Sequence, residues 1–164
     1  MLITRPNHDV TTNYLFYWSI SLIDLAKRRK ISVSDLAKKR ANLKEFTSVV
    51  LKTKPTLIVL NGHGDDSIVT GYNNEILVNT DNSQLLLNGS VVYARSCKSA
   101  CKLGPQAILS GCKAYIGYNE DFVFVSEEAK VSHPLDDKTA QLFLEPSNQV
   151  VISLLKGHTP AESN

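Results

Sequence analysis

Apolar residues along this chain follow two different periods. Leu15, Trp18, Leu22, Leu25 and Ala26 recur at steps of three and four, which gathers them on one stripe of a helix. Asp9, Thr11 or Thr12 can cap that helix, which is expected to run to about Lys30. Leu43, Phe46, Val49 and Val50 repeat the stripe in a second helix, expected from about Ala41 to Lys52 and stopped by Pro55. Thr56 to Leu60 and Val91 to Ala94 are different: the first is a β-branched run apolar on both faces and the second reads as another buried strand.

Shorter segments complete the order. Leu2 to Thr4, Ile31 to Val33, Glu75 to Asn79, Ala114 to Tyr118 and Phe122 to Val125 are expected as strands, and Ser83 to Leu87 as a helical turn. A helix opens at Gly104 and Pro105, where proline's missing N–H costs nothing, and closes at Gly111. Two last helices flank Pro146, from about Asp136 to Leu144 and from Ser147 to Lys156. Strands that alternate with helices pair in parallel. The expected fold class is therefore α/β: a three-layer sandwich with a mostly parallel central sheet and helices on both faces, in one domain over residues 1–164.

Composition changes this picture little. An apolar fraction of 43% with 21% charged residues is ordinary for a globular domain. A net charge of +2 gives no electrostatic footprint for nucleic acid, and the basic runs Lys27 to Lys30 and Lys38 to Arg40 fall where helices expose them. No apolar run approaches the roughly 20 residues of a membrane span, and the first residues lack the apolar centre of a signal peptide. Three close-set cysteines argue for a reducing, cytoplasmic setting over a disulfide framework.

Candidate chemistry lies at two strand ends. LIVLNGHGDD (Leu57 to Asp66) runs a buried strand into a histidine between two glycines, and VVYARSCKSA (Val91 to Ala100) runs another into a cysteine. Sites in open α/β sheets gather at the carboxyl ends of strands. If the two strands are neighbours, His63 and Cys97 open onto one edge. An imidazole there can take the thiol proton and later protonate a leaving amine. Gly64 lets its N–H approach a substrate carbonyl, and a helix starting just after Cys97 would aim further N–H groups at the same place. Each residue alone also fits a packing role, since a lone buried cysteine or histidine is usually structural. His8, His133 and His158 have no strand-end setting in this reading and are expected at the surface. Tyr14 and Trp18 are expected in the core, and Arg95 could face either a carboxylate or a substrate.

The ordered pair of motifs resembles the caspase-like cysteine peptidases, which include caspases, gingipains, clostripain, separase and bacterial caspase-like domains. LIVLNGHG is similar to the family's histidine strand, VVYARSC to its cysteine strand, and GCKAYIGY (Gly111 to Tyr118) to the strand that follows. The similarity covers roughly Leu2 to Val125. It implies a caspase-like sandwich that hydrolyses peptide bonds through a thioester, with His63 and Cys97 catalytic and the N–H groups of Gly64 and Cys97 as the oxyanion hole. It implies no cofactor and no metal at the site, a peptide or protein substrate, and control by a regulatory partner or a homodimer. Asp65, Asp66, Glu120 and Asp121, all expected near strand ends, would suit a basic P1 side chain as substrate-binding residues.

Two other readings share these residues. A catalytically inactive interaction domain would keep the fold and both motifs. A zinc site would combine Cys97 with Cys101, four residues on, and draw in Cys112 and His63.

Overall fold

The computed structural model describes residues 1–163. Its sheet has five strands, all parallel: β1 (Leu2–Arg5), β2 (Ser34–Ala37), β3 (Leu57–Asn61), β6 (Val91–Arg95) and β7 (Ala114–Ile116), in the order β2-β1-β3-β6-β7. Between β3 and β6 the chain makes a separate antiparallel hairpin, β4 (Ile68–Thr70) with β5 (Ile76–Asn79). The helices are α1 (Val10–Trp18), α2 (Ile20–Arg28), α3 (Leu43–Thr53), α4 (Ser83–Leu87), α5 (Leu103–Leu109), α6 (Lys138–Lys156) and α7 (Pro160–Ser163).

Side-chain alternation along the strands splits the core in two. Leu2, Ile58, Leu60, Val92 and Ala94 face one way, under Phe46 and Val50 of α3, Leu86 and Leu87 of α4, and Leu103 and Ala107 of α5. Ile3, Val59, Tyr93 and Ile116 face the other way, under Leu22, Ile23 and Ala26 of α2 and Val151 and Leu155 of α6. Helices therefore cover both faces, and the three-layer α/β arrangement expected from the alternating elements is present. No helix among the described residues is long and apolar enough to cross a membrane.

Several local expectations are corrected. The first long helix breaks in two, because Ser19 ends α1 and starts α2 while its hydroxyl donates to the Leu15 carbonyl at 2.6 Å. The second strand lies at Ser34–Ala37 rather than at Ile31–Val33, whose apolar side chains pack beneath the sheet instead. Phe122 to Val125 is irregular, with Phe122 and Phe124 packed against the buried Tyr14 and Leu15. Pro146 does not divide the last helix: α6 runs through it, and the Ser147 hydroxyl donates to the Leu144 carbonyl at 3.0 Å. The hairpin strand Ile68–Thr70 was not expected at all.

Tyr14 is a core residue as read from the sequence, whereas Trp18 is only partly buried, packed against the cluster that holds Tyr14. The Tyr14 hydroxyl donates to Asp137 at 2.6 Å, and burial first, then this bond, pushes its pKa up to about 12. Burial acts to raise the Asp137 carboxyl, but donation from the N–H of Ala140, the Tyr14 hydroxyl and the N–H of Glu127 outweighs it and holds the group below its ordinary value.

Candidate functional site

Strands β3 and β6 are adjacent and in register from Leu57↔Val91 to Asn61↔Arg95. The two strand ends meet: the Gly62 N–H donates to the Arg95 carbonyl at 3.4 Å, and a Cβ built on Gly64 would lie 2.8 Å from Ser96 Oγ. His63 and Cys97 therefore leave the same edge of the sheet, each half-buried.

The glycines around His63 are explained by the hairpin. A Cβ on Gly62 would meet the Thr70 carbonyl oxygen at 2.0 Å, and one on Gly64 the Ile68 carbonyl oxygen at 2.5 Å. β4 thus packs its backbone directly onto the histidine turn, which only glycine permits. In return it clamps the turn: the Thr70 N–H and hydroxyl both donate to the His63 carbonyl, at 2.8 and 3.1 Å, and the Asp65 N–H donates to the Ile68 carbonyl. Gly64 lies opposite Val69 between those two bonds, in the pair whose N–H groups point away from the partner strand. Its N–H is thereby left for another acceptor.

His63 finds its partner on a third element. Its Nε2 lies 2.6 Å from Asp9 Oδ2, so this bond is made to Asp9 and not to Cys97. Asp9 follows β1 and caps α1, its Oδ1 accepting from the Thr12 N–H at 2.8 Å and the Thr12 hydroxyl at 2.9 Å. Burial acts to raise the Asp9 carboxyl, while the Thr12 and His63 bonds outweigh it and leave it lowered. His8 completes the group, its Nε2 at 3.4 Å from the same Asp9 Oδ2 and its ring edge-on to that of His63. The surface position expected for His8 is wrong: its side chain is only 9% exposed. The strand-end reasoning that located His63 and Cys97 applies equally to β1, whose end carries Asn7-His8-Asp9, and that signal was missed.

Beneath the edge sits Arg95, fully buried with no carboxylate among its hydrogen-bond partners. It donates from Nε to Asn61 Oδ1 (2.9 Å), from Nη1 to Ser147 Oγ (2.9 Å) and Asn148 Oδ1 (2.8 Å), and from Nη2 to Ser19 Oγ (3.0 Å). Burial lowers its pKa. One side chain thus ties the Cys97 strand to β3, to the α1–α2 break and to α6 at Pro146.

The other expected site residues are less assembled. The segment after Cys97 is a series of turns with Lys98 left-handed (φ 51°), and α5 starts only at Leu103. The N–H groups of Lys102 and Leu103 are spent on the Asp66 carbonyl, so the helix expected just after Cys97 does not aim its N–H groups at the site. Asp66 is paired with Lys102 at 2.6 Å, which lowers its pKa and raises that of the lysine, and Asp121 lies 3.5 Å from Lys98. Asp65 Oδ1 closes its own turn on Ser67 and Ile68, and Glu120 is exposed. The four proposed zinc ligands do not converge. Cys112 is buried at the amino end of the sheet, where its thiol donates toward the carbonyls of Ser90 and Ala114, while Cys97 follows the far end of β6 and the exposed Cys101 donates to Asn119.

Compared with protein-family models, with curated proteins and with solved structures, the chain finds no match.

Proposed function

We propose that the chain is a caspase-like cysteine endopeptidase using Cys97 and His63. The observation that carries this reading is the registered pairing of β3 with β6, which puts a histidine and a thiol on one sheet edge beside an N–H kept free by the hairpin. With Nε2 engaged by Asp9, His63 Nδ1 is the nitrogen that receives the Cys97 proton. The sulfur attacks the peptide carbonyl, and the oxyanion is held by the N–H groups of Gly64 and Cys97. His63 returns the proton to the amine as the C–N bond breaks, leaving a thioester. Water, deprotonated by His63, then cleaves the thioester and restores the thiol. Asp9 is a positioning residue that fixes the ring. With Asp66 and Asp121 paired to lysines, any preference for a basic P1 residue rests on Asp65 and Glu120.

A second reading, an inactive interaction domain, draws on the same geometry, because His63 bonds to Asp9 rather than to Cys97. One experiment separates the two. Iodoacetamide alkylation of Cys97 is followed by mass spectrometry across pH in the wild type and in His63→Ala, with Cys101 and Cys112 as references. The peptidase reading expects Cys97 to react faster than both references below about pH 8 and to lose that advantage without His63. Equal behaviour in the two proteins favours the interaction domain. A panel of P1-Arg, P1-Lys and P1-Asp peptides then tests specificity.

A further inference from the structure

Three potential ligand atoms meet where α1 begins: His8 Nε2, Asp9 Oδ2 and His63 Nε2, all within 4.8 Å of one another. Two imidazole nitrogens thus aim at one carboxylate oxygen, from 2.6 and 3.4 Å. The other Asp9 oxygen is occupied by the helix cap, which fixes the carboxylate and leaves Oδ2 directed outward. His8 is held in place by Tyr72, whose ring lies edge-on at 5.5 Å.

Two further observations single this cluster out. His8 Nδ1 is buried without a hydrogen-bond partner, so the imidazole is committed to the cluster at the expense of its other nitrogen. In addition, Asn73 and Asn74 both adopt left-handed backbone (φ 54° and 60°), a strained arrangement that carries Asn74 Oδ1 to 3.3 Å from His8 Nε2. A fourth potential ligand atom, an amide oxygen, therefore stands at the edge of the group. An open depression of about 470 Å³, lined by His8, Asp9, Asn13 and Tyr72, gives access from solvent.

We propose that His8, Asp9 and His63 form a binding site for a first-row transition ion such as Zn²⁺, and that the bound ion takes His63 out of acid–base work; this second half rests on the dyad reading above. Two imidazoles with one carboxylate are the donor set of a borderline ion and not of calcium or magnesium, which prefer oxygen. Bond lengths of about 2.0–2.2 Å to each donor place tetrahedral ligands roughly 3.4 Å apart. The His8–Asp9 spacing already matches, and the His63–Asp9 pair opens slightly as the ion replaces the shared proton. An ion on His63 Nε2 leaves Nδ1 protonated. That nitrogen then donates and cannot accept the Cys97 proton, so the ion and the dyad compete for one ring.

The test uses the whole chain stripped of metal. Co²⁺ is titrated into wild type, Cys97→Ser and His8→Gln while visible absorption is recorded, with a thermal melt of each variant. The expected result is equal binding by wild type and Cys97→Ser, and at least a tenfold loss in His8→Gln at similar thermal stability, since even outer-shell partners of a metal are worth that much. His8→Phe, which keeps a ring against Tyr72, serves if the glutamine variant is unstable. No Co²⁺ spectrum in wild type, or binding that survives loss of His8, overturns the site. Cys97 alkylation is then measured with and without Zn²⁺: slowing in wild type but not in His8→Gln supports the switch, and no slowing overturns it. If alkylation never depends on His63 in the metal-free protein, the dyad reading fails while the Co²⁺ titration still decides the site.

Discussion

His63 Nε2 and Asp9 Oδ2 lie 2.6 Å apart, joining the turn after β3 to the cap of the first helix. This pair separates orientation from stability, because asparagine caps a helix as well as aspartate does. Asp9→Asn is expected to keep the melting temperature within a few degrees and, on the proposed peptidase reading, to reduce kcat against a peptide substrate on the order of 100-fold, with KM little changed. Asp9→Ala should in addition lose about 1 kcal/mol of stability with the cap. Steady-state kinetics beside thermal melts would show it, and an Asp9→Asn protein with the wild type's full peptidase activity would remove Asp9 from the proposed site.

Gly64 has no room for a side chain. Its Cβ would sit 2.5 Å from the Ile68 carbonyl and 2.8 Å from Ser96 Oγ, and since one neighbour is backbone, the hairpin has to shift. Gly64→Ala is expected to cost about 1–3 kcal/mol, or roughly 2–10 °C in melting temperature for a chain of this size. Gly89→Ala is the control for a glycine with open space but a left-handed backbone (φ 77°), and should cost about 1 kcal/mol. A Gly64→Ala protein as stable as wild type would show that β4 does not clamp the histidine turn.

Arg95 poses a question of balance. Burying a cation without a carboxylate costs several kcal/mol, while bonds to a charged group contribute about 1.5–3 kcal/mol each, and Arg95 makes four. The bonds outweigh the burial. Ser19 and Ser147 keep other acceptors when the arginine is lost, but Asn61 Oδ1 and Asn148 Oδ1 lose a donor. Arg95→Met is therefore expected to destabilise by about 3 kcal/mol, read as a lower denaturant midpoint at an unchanged slope. A midpoint equal to or above that of wild type would reverse the balance.

Acid should act through Asp137. Its carboxyl is held below the ordinary value despite burial, by donors from Ala140, Tyr14 and Glu127. A lowered carboxyl contributes stability that is fully present above its unfolded value, about pH 4, and is lost as pH falls through the folded value. Stability is thus expected to be flat with respect to this group near neutrality and to decline below about pH 4. In Asp137→Asn that part of the acid slope disappears while stability at neutral pH drops. Denaturation at a series of pH values measures both, and an unchanged acid slope would assign the decline to other groups.

How much of this was legible in the sequence depends on the range of the force involved. The runs at Thr56 to Leu60 and Val91 to Ala94, apolar on both faces, announced strands covered on both faces, and their pairing followed from alternation. Breaks set by single side chains were harder. The Ser19 hydroxyl and the helix that continues through Pro146 are both stabilised by Arg95, a residue far away in sequence, so no local pattern could reveal them. The site was half legible. His63 and Cys97 stood out because they end strands, whereas His8 and Asp9 were hidden because β1 is short and Asp9 already had a role as a cap. The acidic residues were legible as charges, but their lysine partners were not, because Lys98 and Lys102 reach them only through the turns after Cys97.

The placement of α6 also bears on the order in which the chain assembles. Each strand of the sheet docks beside one made earlier, so β1, β2 and β3 can pair as they are synthesised, and β6 and β7 add to the growing edge. The face formed by Ile3, Val59 and Tyr93 still waits for Val151 and Leu155, and Arg95 waits for Ser147 and Asn148. Until α6 is available, α2 alone covers that face, and Arg95 has only two of its four partners, Asn61 and Ser19. A chain stalled before that point is expected to be a client for chaperones rather than a smaller folded protein.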